Sequence, residues 1–325
     1  MNVRNTIGLW LLALTAIFSS CDALIYDKFE NCPQGVYVSF YAMTPCDTDT
    51  SRVGKVQSLS VFAFDEEDKL VTSVTENNPD LTADYEVLVP VSNGYFTFIA
   101  WTGLNDSFDR TNLKPGVTTK TDLLASLKTA QGIASLLQMN DTILQGESAV
   151  VVLPDPKEVG TIYKHTAINM KEISNSIKLI VEFDQLTMGS FDPQNVRVSV
   201  SSANTALNID GSMPRNTPQV RYAALDSTFT VSAGNWEYRL LDLKTGYRND
   251  LKITYLKDGE TYTVFEGDLI ASILLMTEQA SINLDCENDF EVKFIVKDYC
   301  LECHTNFTCN IYVNNWTVNS YIWDF

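Results

Sequence analysis

The sequence predicts an all-β protein built as two β-sandwiches in tandem. Three observations carry that expectation. Short runs with period-two apolar alternation recur along most of the chain. The dipeptides Asn93-Gly94 and Asp258-Gly259 each separate two such runs, and both residue types tolerate the positive φ of a tight hairpin turn. Near the middle, "LPDPKEVG" (153–160) places two prolines and three charges between the two sets of strands. With 325 residues, the chain is long enough for two domains that each bury their own core. The expected division is a signal segment at 1–20, a first sandwich at 21–157 and a second at 158–325.

Taken in order, the N-terminus carries Arg4, then the apolar run "IGLWLLALTAIF" (7–18), then Ser19-Ser20-Cys21. A basic start, a short apolar stretch and small residues describe a secretory signal, and the run is too short to span a bilayer. The first strand is expected at 36–40, where Val36, Val38 and Phe40 alternate with Tyr37 and Ser39. "VQSLSVFAFD" follows, then "YEVLVPV" and "YFTFIAW" joined as a hairpin through Asn93-Gly94. "TDLLASLKTAQGIASLLQM" (121–139) spaces Leu123, Leu124 and Leu127, then Ile133, Leu136 and Leu137, at helical intervals, which predicts a short helical crossover. In the second half, "SIKLIVEF", "NVRVSVSS", "WEYRLLDL", "LKITYL", "TYTVF", "DFEVKFIV" and "CNIYVNNWTV" are strands.

Composition bounds the function. Apolar residues make up 45% of the chain, enough to fold, and the formal net charge is −18. That surface repels phosphate backbones and anionic headgroups, so no nucleic-acid partner is expected. No later segment is long and apolar enough for a membrane span, so membrane attachment must come from a lipid.

Seven cysteines stand at 21, 32, 46, 286, 300, 303 and 309. In an oxidising compartment the six after Cys21 are disulfide candidates. Cys32 and Cys46 flank the first strand and are expected to pair. Cys286, Cys300, Cys303 and Cys309 allow three pairings; a Cys300–Cys309 bridge would tie the mouth of a hairpin.

"CLECH" (300–304) matches the attachment signature of a c-type haem. Cys300, Cys303, His304 and Cys309 could together suggest zinc. The setting, a β-hairpin loop with further thiols nearby, favours stapling disulfides over either, so no cofactor or metal is expected. His165 is expected to be a packed or capping residue. Glu66-Glu67-Asp68 and Asp47–Thr50 read as polar turns. No phosphate loop and no Gly-x-Ser-x-Gly occurs, and no catalytic site is predicted.

Ser19-Ser20-Cys21 resembles the lipobox of bacterial lipoproteins, which implies diacylation of the Cys21 thiol. "NCPQGVYVSF", "VQSLSVFAFDEEDKLV" and "GYFTFIAWTGL", in that order, together with "GTIYKHTAINM" and the closing "IYVNNWTV", resemble the FimB-type fimbrillin anchor family. The resemblance implies two transthyretin-like β-sandwiches and a lipoprotein that holds a fimbria on the outer membrane. It also implies a shaft subunit as partner and β-strand addition as the means of contact.

Two other readings stand beside it. A shaft or tip subunit of the same superfamily would be cut near its N-terminus, and Arg52 is the first arginine after Cys21. A glycan-binding surface lipoprotein would expose aromatic platforms; Trp101, Trp236, Trp316 and Trp323 lie in or beside strand-like runs instead. For the anchor, contact with the shaft is expected at 314–325, with Trp316, Val318 and Ile322 on one face of an extended chain. Tyr321, Trp323 and Phe325 lie on the other.

Overall fold

The computed structural model describes residues 32–140, 142–188, 191–274, 282–297, 307–314 and 316–322. Strands dominate, as expected, in two sandwiches.

The first sandwich opposes two sheets. In one, Gln34–Tyr41 runs between Ile162–Asn169, parallel to it, and Glu86–Val89, antiparallel to it. The other follows the order Lys171–Glu172, Leu144–Glu147, Gly94–Thr102, Ser58–Phe64, Leu70–Asn77, and Val151–Leu153 also pairs with Gly94–Thr102. Alternation sorts the side chains. Val36, Val38 and Phe40 meet Leu59, Val61, Ala63, Phe98 and Ala100 between the sheets.

The intervening residues of the second sheet point the other way and are buried too. Phe62, Phe64, Ile99 and Trp101 belong to a second core that continues through Leu124, Leu137 and Ile143 into Ile177, Leu179 and Phe294 of the second sandwich. A strand buried on both faces must be apolar at consecutive positions, as "VFAF" and "FIAW" are. Trp101 also donates its indole N–H to the Ile209 carbonyl at 2.7 Å.

The second sandwich has one sheet in the order Asp226–Phe229, Ala233–Leu241, Ser174–Phe183, Asp289–Lys297, Thr308–Val313, Trp316–Ile322. The opposing sheet is built on Val220–Tyr222, Val196–Ser202, Asn249–Lys257 and Glu260–Asp268. Asp258-Gly259 closes the last hairpin with both residues at positive φ, as its sequence predicted.

Five expectations need correction. Segment 121–139 is not a helical crossover. Leu123–Leu127 is a strand paired with Phe108–Arg110 and Ala206–Asn208. Gln131 and Gly132, both at positive φ, turn a small hairpin between Thr129–Ala130 and Ile133–Ala134. The leucine spacing satisfied a helix, but this turn breaks it.

Asn93-Gly94 does not close a hairpin either. Glu86–Val89 and Gly94–Thr102 lie in different sheets, and the turn carries the chain across the sandwich. Pro90, with no N–H, cannot extend the first ladder.

The stretch 153–160 is not an interdomain linker. Asp155 accepts from the Lys157 N–H and caps a single helical turn, Pro156–Val159. The chain then returns as Ile162–Asn169 beside Gln34–Tyr41. The first sandwich therefore extends past the expected boundary at 157/158, and the crossing falls at 170–173.

Finally, Cys46 pairs with Cys286, 240 residues away. Cys32 is a free thiol, so the expected Cys32–Cys46 pair is not made. Cys309 is also free and buried, which removes a Cys300–Cys309 bridge.

The two sheets of the first sandwich approach closely at Gly146. A Cβ there would lie 2.2 Å from the Asn169 carbonyl oxygen and 2.6 Å from Ile168 Cγ2. Gly146→Val should cost about 1–3 kcal/mol or more through overpacking, read as a lowered urea midpoint. An unchanged midpoint would show that the strand ends are not in contact.

Candidate functional site

The feature with most structural consequence is the seat of the first strand. Gln34–Tyr41 pairs over its whole length with Ile162–Asn169 and over Val36–Ser39 with Glu86–Val89. Neighbours on both sides make it the central strand of its sheet, and its apolar face is buried.

Its two ends are clamped by side chains. At the start, buried Gln34 donates from Nε2 to the carbonyls of Pro154 (3.1 Å) and Gly160 (3.2 Å). Gln34 Oε1 accepts the Asn93 N–H at 3.2 Å. One side chain thus joins the strand to the crossover at 154–160 and to the turn that changes sheets. At the far end, Asn169 accepts the Met43 N–H on Oδ1 and donates from Nδ2 to the Met43 carbonyl, both at 2.9 Å. The Met170 N–H donates to the Tyr41 carbonyl at 2.7 Å.

On the outer face, Tyr37 stacks on His165 with ring centroids 5.2 Å apart. His165 Nδ1 lies 2.9 Å from Glu86 Oε1. All three strands of the sheet are tied here, so His165 is a cross-strand contact on an exposed face.

Beyond Tyr41 the chain enters a loop that ends at Arg52. Ala42 and Ser51 exchange backbone hydrogen bonds at 2.8 Å, and residues 45–52 are exposed. The Thr44 N–H donates to Asp47 and holds its carboxyl below the usual range, so Asp47–Thr50 is a polar turn. Cys46, in this loop, carries the disulfide to Cys286 of the second sandwich.

That bond lies at the junction, which is polar and dense. Arg239, 5% exposed, donates to Glu172, Ser174 and Ser176. Buried Asn175 accepts the Leu243 N–H at 2.8 Å and donates to Asn288. Burial pushes the Asp242 carboxyl up, while Lys244 at 3.3 Å opposes the shift.

The remaining predicted residues divide. Trp316, Val318 and Ile322 lie in an edge strand antiparallel to Thr308–Val313 in the second sandwich; that pairing continues to Ile322. Cys21, Cys300, Cys303, His304 and Trp323 lie outside the described residues. Cys309 faces the core with Sγ 3.6 Å from the Val264 carbonyl, and burial pushes its thiol up to about 12. Among the described residues, no group of three or more His, Cys, Asp or Glu side chains could hold a metal ion. Trp101 and Trp236 are core residues, so neither forms a glycan platform. Sequence reasoning missed the Gln34 clamp, the Asn169 clamp and the Cys46–Cys286 pair.

These features define a two-sandwich structural protein whose own N-terminal strand completes its first sheet. The chain belongs to the family described as Fimbrillin-A associated anchor proteins Mfa1 and Mfa2, whose model matches residues 29–321. It is 30% identical over 312 residues to the minor fimbrium anchoring subunit Mfa2 of Porphyromonas gingivalis, covering 96% of this chain and 93% of that protein. The solved structure of the fimbrial anchor protein Mfa2 from the same organism superposes with a TM-score of 0.79 at 28% identity, over 89% of this chain and 100% of that one. A Bacteroides thetaiotaomicron structure shares the fold at a TM-score of 0.66 and 22% identity, over 88% of this chain and 97% of that one. The family is one of fimbrial anchors and not of enzymes.

The Gln34 clamp has a measurable weight. Gln34→Leu keeps the bulk but strips two carbonyls and one N–H of their partner, at about 1–3 kcal/mol for each buried group left unpaired. A loss of at least about 2 kcal/mol is expected by urea denaturation, with faster amide exchange across 36–40. A loss below about 0.5 kcal/mol would show that the clamp holds nothing.

Proposed function

We propose that this protein is an outer-membrane lipoprotein that holds a fimbria at its cell end and terminates its growth. The anchoring role is carried over from the P. gingivalis subunit Mfa2. One observation of this chain carries the termination half: Gln34–Tyr41 is the central strand of its own first sheet. In strand addition, an extended segment of one subunit completes the sheet of another. A shaft subunit cut after Arg52 would lose Gln34–Tyr41 and keep an open slot between Glu86–Val89 and Ile162–Asn169. Here the slot is filled by a segment of the same chain, whose effective concentration an incoming strand cannot match. No subunit adds at that end, and growth stops.

The segment that precedes the strand leads back to Cys21. Acylation of its thiol would place palmitate-type chains in the outer membrane, each buried CH₂ contributing about 0.8 kcal/mol. The shaft is then met at the other end of the protein. Trp316–Ile322 lies at the edge of its sheet, and an edge strand offers unpaired backbone groups for strand addition. Trp316, Val318, Ile322 and Trp323 are the residues assigned to that contact.

Deleting Ser320 to Phe325 should release fimbriae into the medium while the protein stays folded at the membrane. Fimbriae that remain on the cells after this deletion would sink the contact assignment.

A further inference from the structure

We infer that the Cys46–Cys286 disulfide lets the exposed loop be cut between Cys46 and Val53 without loss of the N-terminal strand. Retention of everything upstream of the cut would then depend on one disulfide rather than on an unbroken backbone.

The loop is built to be accessible. Residues 45–52 are exposed, and an exposed polar loop is where proteolytic nicking concentrates. The Ala42–Ser51 bridge closes its base, and Arg52 stands just outside that bridge as a basic, protease-readable side chain. The order of residues along the chain decides the outcome of a cut. Cys46 lies upstream of Arg52 and Cys286 far downstream. Hydrolysis of the Arg52–Val53 bond adds one water across the amide, leaving a carboxylate on Arg52 and an ammonium on Val53. No sulfur takes part. The fragment that bears Gln34–Tyr41 stays covalently joined to the second sandwich.

Without the disulfide, that fragment is held only by its ladder, its buried face and the Gln34 and Asn169 clamps. Release from the disulfide-bearing protein therefore needs three events: hydrolysis of the loop, reduction of the disulfide by a thiol reductant that supplies two electrons and two protons, and withdrawal of the strand from its slot. An exported protein meets protease far more readily than reductant. The consequence for anchoring rests on the reading that the upstream segment carries the lipid. The lock itself does not.

The test uses the full chain with residues 47–52 replaced by the recognition sequence of a site-specific protease. The folded protein is cut, free thiols are blocked by alkylation, and the products are denatured and separated with and without reductant. A single full-length species without reductant, and a separate N-terminal fragment with it, is the expected result. Cys286→Ser in the same background should free the fragment under both conditions. A fragment released without reductant from the disulfide-bearing protein overturns the inference. Resistance of the folded protein to the protease overturns it as well, because the loop would not be open. On whole cells, cutting should shed fimbriae at least tenfold more from the Cys286→Ser variant. On cells, a cut Cys286→Ser protein that keeps its N-terminal fragment overturns the dependence on the disulfide, whereas one that parts from the fragment while fimbriae stay attached keeps the lock and rejects the lipid-anchor reading instead.

Discussion

The rest of the structure depends on the insertion of Gln34–Tyr41 between two strands that do not otherwise meet. Val36, Val38 and Phe40 are buried by it, at about 1.5–3 kcal/mol for each side chain. Set against a net domain stability of about 5–15 kcal/mol, that burial is comparable to what holds the first sandwich folded. Removing the strand would also leave the facing edges of Glu86–Val89 and Ile162–Asn169 with unpaired backbone groups, at a further cost. The sandwich therefore needs a strand in this slot, from its own chain or from another. In the function proposed above, which chain supplies it separates an end subunit from a repeating one.

The second sandwich is not a loosely attached partner. Only residues 170–173 separate Ile162–Asn169 from Ser174–Phe183, and Lys171–Glu172 still pairs with Leu144–Glu147 of the first sandwich. The sheet of Gly94–Thr102 gives one face to each core. Arg239 and Asn175 add buried hydrogen bonds at the crossing, and the disulfide closes a loop of 240 residues across it. In the chain-entropy picture a closure of that size constrains the unfolded ensemble by about 5 kcal/mol. Under the proposed anchoring role, these ties stiffen the junction between the attached end and the end that holds the filament.

Much of this was legible in the sequence, for identifiable reasons. Strands such as Ser174–Phe183 and Asp289–Lys297 alternate cleanly and were readable from period two. The apolar runs at 61–64 and 98–101 carried a further signal, since burial on both faces suppresses alternation. Leu123, Leu124 and Leu127 fit one helical turn and one strand equally well, and the positive φ at Gln131 decides between them. The prolines at 154 and 156 mark a break, but a crossover back into the first sheet and a linker out of it look alike in sequence. The Asn-Gly signal marks a turn without saying which sheet the next strand joins. Nothing local to Cys46 or Cys286 indicates a partner 240 residues away. The Gln34 clamp was silent because its three partners come from two distant segments.

The central claim is that the N-terminal segment never leaves the protein, and the mature protein's own mass and N-terminus test it most directly. Protein extracted from the outer membrane without reductant should give an intact mass that includes residues 21–52 and the acyl chains on Cys21. An N-terminus at Val53, with no upstream fragment linked to Cys286, would contradict the account.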